Sequence, residues 1–499
     1  MRALSIHRVV PTLLFFLLLP ASVIGFGLTT SVPVADQPSS EPQRLPITTS
    51  HPEALALFEH GIVNYENYHL DEAVADWRKA VQLDPKFAMA EVWISLVTND
   101  PKEERDAESG AKKYAALASV PEQLMIRWIT SVQDNDYISG ISAMNDLLAQ
   151  YPRDKHLNYA AGRWLLQRQQ YQKAQNAVER ALAVDPAYPP ALNILGYAYA
   201  RTGQFEKAFA AMEKYTTVLP NEANPQDSYA EVFEIAGDFE RAVEHYQAAL
   251  KIDPKFYPSQ GGLADTYSLM GRQEAARVEF AKAIEMSPNE AAKTDYRLRA
   301  ALTYVREKKF ADADRAYTEA ATLAHASGLW IWEARAHRAV AMYQPDLTLA
   351  MKHLYQAEAA LQKRLGTADA SFTEEFVKIL RVRVDRHAEA HNLALAQVAL
   401  TRLKQMAKGG SNTVQQTYQA ATGALLLAEK KYAEAIPHLE EDSFNALSMK
   451  KLLDAYTHTG ASEEAQSIKR RLLAMNVATI EQALAVPALR AEAQTKSAK

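Results

Sequence analysis

Two histidines in the C-terminal third of the sequence have a spacing that metal sites use. In the segment His387-Ala-Glu-Ala-His391 the imidazoles are four residues apart, so a helix would place them on one face, with Glu389 between them in sequence. The glutamate is not where the HExxH motif of metalloproteases has it, and no third ligand is evident. We therefore interpret this segment as an exposed helix face and predict no metal and no other cofactor.

Other signatures of catalysis or nucleic-acid binding are missing. The sequence has no cysteine, which excludes disulfides and thiol chemistry, and it has no phosphate loop, dinucleotide fingerprint or GxSxG elbow. Its 55 Lys and Arg against 60 Asp and Glu give a net charge of −5, whereas nucleic-acid binding needs clustered positive charge. We predict a protein that is not an enzyme and does not bind nucleic acid. An enzyme with an unrecognised site is the alternative.

Residues 1–27 have the layout of a secretory signal. A basic start is followed by an apolar block, Leu13 to Leu19, and then by small residues that include Gly25 and Gly27. The sequence therefore predicts an exported protein, periplasmic or secreted. The alternative is an uncleaved membrane anchor, because the apolar run is long enough to span a bilayer.

Both ends of the remaining chain differ from its middle. Residues 28–52 contain five prolines and eight Ser or Thr, a composition that predicts a disordered spacer. Thr479-Ile-Glu-Gln482 is typical of a capping box that opens a last helix, which Pro487 would stop. We predict a capping helix and a frayed tail over residues 480–499.

Proline recurs every 34 residues in the middle of the sequence, at Pro152, Pro186, Pro220, Pro254 and Pro288. With units starting at Lys155, Pro189, Ala223 and Tyr257, the eighth position is small: Gly162, Gly196, Ala230 and Ala264. The twenty-fourth position is bulky: Val178, Met212, Tyr246 and Phe280. Facing small and large side chains let two helices approach closely. Glycines stand where a left-handed turn would end each first helix, at Gly203, Gly237 and Gly271. Each unit is thus predicted to be a helical hairpin that stacks on its neighbours.

These positions resemble the tetratricopeptide repeat family over nearly all of 54–479. The resemblance implies an all-α protein, a right-handed α-solenoid of about 9–12 tetratricopeptide-like helical hairpins. We place an N-terminal array at 53–290 and a degenerate C-terminal array at 291–479. The pattern is weak in three stretches, where irregular helix pairs are the alternative: 86–120, 331–364 and 377–410.

In this family the first helices of successive units line a concave groove that binds other proteins. Positions two, five, nine and twelve of each unit share one helix face. The resemblance therefore implies the following binding residues, with Arg201 added one position further on: His156, Tyr159, Arg163, Asn193, Tyr197, Arg201, Asn224, Asp227, Glu231, Glu234 and Asp265. Solvated helix faces without a binding role are the alternative.

The repeat architecture and the missing catalytic residues together favour binding. We expect an exported scaffold or adaptor that mediates protein–protein interactions in the cell envelope, with a peptide or partner protein in the concave groove. A membrane would be involved only through residues 1–27, if they remain uncleaved. The alternative ligand is a carbohydrate or another envelope polymer along the aromatic part of the groove.

Overall fold

A computed structural model of the chain describes residues 43–98, 100–134, 136–363, 370–408 and 410–497. All regular structure in these residues is helical, with 25 α-helices and one short 3₁₀ turn, Ala115–Leu117. The prediction of an all-α protein is confirmed. The predicted signal sequence, 1–27, and the first part of the predicted spacer, 28–42, lie outside the described residues.

The first twelve helices are α1 (Pro52–Glu66), α2 (Leu70–Leu83), α3 (Ala88–Val97), α4 (Pro101–Tyr114), α5 (Val120–Gln133), α6 (Tyr137–Gln150), α7 (Lys155–Gln167), α8 (Tyr171–Val184), α9 (Pro189–Arg201), α10 (Phe205–Val218), α11 (Ala223–Ala236) and α12 (Phe239–Ile252). The others are α13 (Tyr257–Leu269), α14 (Gln273–Met286), α15 (Glu290–Arg306), α16 (Phe310–Ala326), α17 (Trp330–Tyr343), α18 (Leu347–Gln362), α19 (Ala370–Glu389), α20 (Leu393–Ala407), α21 (Asn412–Ala428), α22 (Tyr432–Glu440), α23 (Ala446–Thr459), α24 (Ser462–Leu473) and α25 (Ile480–Ser497).

The described residues form two compact units. The N-terminal unit comprises residues 43–165 and 172–191, and the C-terminal unit comprises residues 166–171 and 192–497. Each unit buries the apolar stripes of its helices against neighbouring helices, as a repeat protein must, because a single hairpin cannot cover its own stripe.

The two units do not coincide with the arrays placed at 53–290 and 291–479. Hairpins continue across residue 290, where α15 packs on both α14 and α16. The three stretches with a weak repeat pattern are also helical hairpins, formed by α3 with α4, α17 with α18, and α19 with α20. Helices α1 to α24 of the described chain thus pair into twelve hairpins, followed by the unpaired α25.

The small and bulky positions of the repeat face each other as predicted. A methyl group placed on Gly162 would lie 2.4 Å from Val178 Cγ1, and one on Gly196 would lie 2.6 Å from Met212 Cε. Two further hairpins show the same relation: Gly61 with Trp77 and Gly423 with Leu439. Any side chain at these glycines would push the two helices of a hairpin apart.

The turn between the helices of a hairpin is left-handed. Gly203, Gly237 and Gly271 have φ angles of 74°, 85° and 83°, which confirms the predicted role of glycine there. A residue with a positive φ also follows the first helix in six further hairpins: Tyr68, Gln169, Lys308, His391, Lys430 and Gly460. These hairpins therefore have the same left-handed turn even where another residue replaces the glycine. Helix α17 ends differently, at Gln344 with a φ of −61°.

The prediction of a disordered spacer is wrong for its last ten residues. Helix α1 begins at Pro52, where proline is favoured because its missing N–H would be unpaired anyway. Residues 43–49 are not helical but are bound to the N-terminal unit through specific hydrogen bonds, given below. Composition alone did not reveal these contacts, because they use backbone and hydroxyl groups.

The last helix is longer than predicted. Thr479 Oγ1 accepts a hydrogen bond from Gln482 N–H at 3.3 Å, as a capping residue does. Pro487, however, lies inside α25 and does not stop it. Helix α25 packs against α15, α23 and α24, and Ala485 and Val486 are completely buried. This burial offsets the cost of about 3 kcal/mol that an internal proline imposes.

No helix among the described residues is both long enough and apolar enough to cross a membrane.

Candidate functional site

Four first helices of the N-terminal unit, α1, α3, α5 and α7, line a groove. Its floor is aromatic, since the ring centroid of Tyr65 lies 4.9 Å from that of Trp93 and 6.4 Å from that of Tyr159. Apolar side chains complete the floor: Phe58, Ile62, Met89, Met125 and Leu157. We call this surface the first-helix groove.

Residues 43–49, the N-terminal segment, lie in the first-helix groove. The Leu45 N–H donates a hydrogen bond of 2.6 Å to Asp154 Oδ2. The Thr48 N–H donates to Glu122 Oε1 at 2.8 Å, and the Thr48 hydroxyl donates to Glu122 Oε2 at 2.5 Å. The segment is therefore held in the way that a bound peptide is held, through its backbone and one hydroxyl.

Two further contacts lie near the ends of the N-terminal segment. The Thr49 hydroxyl donates a hydrogen bond of 2.7 Å to Asp84 Oδ2, whose other oxygen accepts the Lys86 N–H at 3.1 Å. The Arg44 guanidinium forms an ion pair of 3.3 Å with Glu59. Because both of these side chains are exposed, the pair contributes only about 0–1 kcal/mol.

The carboxylates that hold the segment are themselves fixed by helix starts. Asp154 Oδ1 accepts the Leu157 N–H at 2.9 Å and so caps α7, which leaves Oδ2 for the segment. Glu122 forms a capping box with Ser119 at the start of α5 and is completely buried. Rigid acceptors cost little ordering entropy when a ligand binds, which is the property of a preorganised site.

The apolar part of the site is incompletely filled. Leu45 is the one buried side chain of residues 43–49, with 9% of its surface exposed. Beside Leu45 and Ile47 a cavity of about 60 Å³ remains, and Phe58, Met89 and Trp93 contribute to its walls. A single water needs roughly 10–15 Å³ measured in this way, so the gap is large enough for additional side-chain atoms.

Tyr159 and Arg163 were predicted to face a ligand, but both are buried. The Arg163 guanidinium lies over the rings of Tyr65 and Tyr68, at 4.5 and 5.0 Å from their centroids. Burial raises the pKa of the Tyr159 phenol well above its ordinary value. These side chains are enclosed because α1 packs beside α7, a contact that the repeat spacing does not reveal. Tyr159 is part of the groove floor, whereas Arg163 lies behind it, and the role of both in binding a partner stays a prediction.

His156 is partly accessible, as expected for a binding residue. Its Nδ1 lies 2.6 Å from Glu66 Oε1 and 3.3 Å from the Tyr188 hydroxyl. His156 also lines the cavity beside the N-terminal segment. It is the one predicted binding residue that lines this cavity without being buried, and its role in binding a partner stays a prediction.

The predicted residues of the C-terminal unit form a ladder of hydrogen bonds between successive first helices. Its rungs join α9, α11, α13 and α15: Asn193 to Ser228, Tyr197 to Glu231, Ser259 to Asp227, Thr266 to Glu234 and Arg299 to Asp265. We call this set the polar ladder. Each of the predicted residues in this set is paired with a neighbouring repeat. Their role as partner contacts stays a prediction.

Burial changes the acidity of the polar ladder. It raises the pKa of Asp227 to about 7, and it raises the pKa of Asp265 to about 6 in spite of the nearby Arg299 guanidinium. Burial, followed by repulsion from Asp265, also raises the pKa of Glu234. The ladder is thus more stable with protonated carboxyl groups than with charged ones.

Two more of the predicted residues lie beside the ladder. The Asn224 amide donates a hydrogen bond of 2.8 Å to the Tyr215 hydroxyl. Arg201 is half-buried, and its Nη2 has no hydrogen-bond partner among the described residues. Neither side chain is joined to a neighbouring first helix in the way that the ladder residues are.

The functional residues that the sequence prediction missed are the N-terminal segment and its carboxylates, Asp84, Glu122 and Asp154. Asp84 precedes Pro85, Asp154 follows Pro152 by two residues and Glu122 follows Pro121, and acidic residues beside prolines are typical of turns and helix starts in general. One signal was present, however. Glu122 and Asp154 are acidic residues at the starts of two successive first helices, where a carboxylate can accept backbone N–H groups.

The structure corrects the interpretation of the two spaced histidines. Helix α19 ends at Glu389, and His391 has a φ of 54° in the turn beyond it, so the imidazoles do not share a helix face. His387 is 8% exposed and therefore does not lie on an exposed face either. Within the described ranges no group of three or more His, Asp or Glu side chains is arranged to hold a metal ion.

Comparison with known families identifies the repeats. Two family models described as "Tetratricopeptide repeat" match residues 159–228 and 235–302. The chain therefore contains tetratricopeptide repeats, which agrees with the resemblance in its sequence. Such repeats are protein–protein interaction modules, and the chain is a scaffold of this kind.

Solved structures of repeat proteins are similar to the chain at low identity. A thermophilic tetratricopeptide protein of Thermus thermophilus is 21% identical, with a TM-score of 0.32, over 37% of this chain and 98% of its own. A tetratricopeptide repeat protein of Parabacteroides merdae is 12% identical, with a TM-score of 0.35, over 62% and 100%. Yeast Tom70 is 14% identical, with a TM-score of 0.42, over 88% and 99%. No curated protein matches the sequence. Similarities at this level do not indicate what the chain binds.

Proposed function

We propose that this protein binds non-helical peptide segments of partner proteins in the first-helix groove of its N-terminal unit. The groove has an apolar floor and rigid carboxylates, which are Glu122 and Asp154 at the starts of α5 and α7 and Asp84 in the turn between α2 and α3. These carboxylates accept backbone N–H groups and hydroxyls, which any partner with an accessible peptide segment can offer.

One observation carries this proposal: the N-terminal segment occupies the groove as a peptide would. Its contacts to Asp154 and Glu122 span residues that are far apart in sequence, and they do not depend on its being joined to α1. A separate peptide with the same sequence can form the same hydrogen bonds once the resident segment has left.

The test is the binding of a free peptide to a chain whose own segment is released. Leu45→Glu combined with Thr48→Pro places a charge against the apolar floor and removes the Thr48 N–H and hydroxyl; we call this the released variant. A dye-labelled peptide with the sequence QRLPITTS should bind the released variant in a fluorescence-polarisation titration. A released variant that binds no peptide, although its helicity is unchanged, would contradict the proposal.

A second variant for this titration replaces one carboxylate oxygen of the groove. Glu122→Gln keeps the shape of the side chain but turns half of the acceptor into a donor. It should weaken peptide binding at least about tenfold, because hydrogen bonds to a charged acceptor contribute about 1.5–3 kcal/mol.

We also propose that the protein acts outside the cytoplasm, with the scaffold delivered to the cell envelope. The proposal is supported by the layout of residues 1–27 and agrees with the lack of cysteine. Cell fractionation and N-terminal sequencing of the exported protein test it. A mature protein that starts near residue 28 is expected; a membrane-bound chain that keeps residues 1–27 would favour the anchor, and a cytoplasmic chain would contradict export.

A further inference from the structure

The N-terminal segment fits the first-helix groove imperfectly, and the misfit indicates what would fit better. A cavity of about 60 Å³ lies beside Leu45 and Ile47. Unfilled apolar space forfeits dispersion contacts, so a ligand that fills it is favoured over one that does not. The walls include Met89 and Met125, whose flexible side chains adapt to rings of different shape.

The polar contacts fix a second requirement three residues further along. Glu122 is completely buried and receives both the N–H and the hydroxyl of Thr48. A ligand without a hydroxyl at this position leaves one carboxylate oxygen with fewer donors in a buried site, which is costly. Thr or Ser meets this requirement, and Val, which has the shape of Thr, does not.

The backbone of the ligand must be free to donate at the first of these positions. Asp154 accepts the N–H of Leu45, so proline is excluded there. Pro46 follows and is exposed, and a proline biases the residue before it toward an extended conformation. The ion pair of Arg44 with Glu59 favours a basic residue immediately before the apolar one, by about 0–1 kcal/mol because both side chains are exposed.

The N-terminal segment can also leave the groove without unfolding a helix. Arg44, Pro46 and Thr48 are exposed, and Leu45 is its one buried side chain. Only Ser50 and His51 join the segment to the start of α1, so it can swing out without disturbing a helix. Tethering keeps its effective concentration in the millimolar range, so a competing peptide must bind more tightly than the segment itself does.

We propose that the partner of the first-helix groove is a protein segment in which a basic residue is followed directly by an aromatic residue or methionine. Thr or Ser stands three residues after that aromatic residue or methionine. Residues 43–49 occupy the groove until such a segment displaces them. This inference rests on the proposed function, because it specifies the ligand of the same site. The N-terminal segment is then a ligand of lower affinity that occupies the groove in the absence of the partner.

The inference is tested with labelled peptides and two forms of the full chain. A QRLPITTS peptide carrying Leu45→Phe should bind the released variant about 5- to 10-fold more tightly than the unchanged peptide, and one carrying Thr48→Val about tenfold less tightly. The wild-type chain should bind each peptide at least about tenfold more weakly than the released variant, because its own segment competes. Leu45→Ala in the chain, a milder change, should give an intermediate affinity.

Each failure has a separate meaning. If no peptide binds the released variant, the proposed function fails. If the Leu45→Phe peptide binds no better than the unchanged one, or Thr48→Val binds as well, the ligand preference is wrong while the groove stands. If wild-type and released chains bind equally, the segment does not guard the groove. A wild-type dimer in sedimentation that the released variant does not form would assign the groove to a second copy of the chain and overturn the proposal.

Discussion

The two ends of the described chain pack against helices of their own units in different ways. In the N-terminal unit, residues 43–49 bury one side chain, Leu45, and are held by turn carboxylates. In the C-terminal unit, α25 packs on α15 and α23 and buries Ala485 and Val486 completely. A helix with a buried apolar face opens only with its surroundings, whereas a segment with few apolar contacts opens locally. The first end is suited to exchange and the second to capping.

The carboxylates of the two units also differ in what they bind. Asp154 and Glu122 use one interaction to cap a helix and keep another for the N-terminal segment. In the polar ladder, Asp227, Glu234 and Asp265 are paired with the next repeat. Polar groups on first helices thus have two structural roles in this chain: those at the starts of α5 and α7 hold the N-terminal segment, and those of the polar ladder join successive repeats.

The largest effect is expected from breaking the C-terminal cap. Val486→Asp places a carboxylate in a completely buried site and should lower the free energy of unfolding by about 4 kcal/mol. Leu45→Glu should lower it by only about 1 kcal/mol, since the segment can leave the groove. Urea unfolding followed by circular dichroism measures both, with the exposed Glu492→Ala as the control. Equal losses for the two variants would remove the distinction between the two ends.

An intermediate effect is expected from pH. The folded-state pKa values of Asp227, about 7, and Asp265, about 6, are above those of the unfolded chain. Their contribution is therefore fully present below pH 4 and is lost as the pH rises through 6 and 7. Between pH 5 and pH 8 the C-terminal unit should lose up to about 4 kcal/mol of stability, because Asp227 loses its contribution over two pH units and Asp265 over one, at about 1.36 kcal/mol per unit. Asp227→Asn should reduce this loss in thermal melts at the two pH values, and an unchanged pH dependence would contradict the assignment.

The smallest effect is expected from a matched pair of turn aspartates. Asp84 and Asp253 stand in nearly identical sequences, LDPKF and IDPKF, and each accepts the N–H of the lysine two residues later. Asp84 alone also accepts the Thr49 hydroxyl. Asp84→Asn should raise the rate of tryptic cleavage after Arg44 about threefold, corresponding to about 0.6 kcal/mol of weaker docking. Asp253→Asn should leave that rate unchanged, and a similar rise in both variants would mean that the turn and not the docking was altered.

The parts of the fold that depend on local spacing were predictable from the sequence. The 34-residue interval located the hairpins, and the pairing of Gly162 with Val178 and Gly196 with Met212 follows from helix geometry alone. The left-handed turns follow from the steric freedom of glycine. Equivalent or nearby positions of successive repeats are hydrogen-bonded to each other in the polar ladder, because stacked repeats bring them close together.

The parts that depend on contacts between distant repeats were not predictable. Arg163 is buried by Tyr65 and Tyr68, roughly a hundred residues earlier, and the 34-residue period carries no information on that approach. The docked N-terminal segment has one apolar anchor and a composition typical of disorder, so periodicity and composition both missed it. Helix α25 continues through Pro487 because tertiary burial outweighs local propensity.

The most direct test of the account is amide hydrogen exchange at the two ends of the full wild-type chain, with and without the QRLPITTS peptide carrying Leu45→Phe. The amides of Leu45 and Thr48 donate to Asp154 and Glu122, so they should be protected in the free protein and lose that protection when the peptide is added. The amides of α25 should exchange slowly in both conditions. If saturating peptide leaves the protection of Leu45 and Thr48 unchanged, the N-terminal segment is not an exchangeable ligand of the first-helix groove, and the central claim is contradicted.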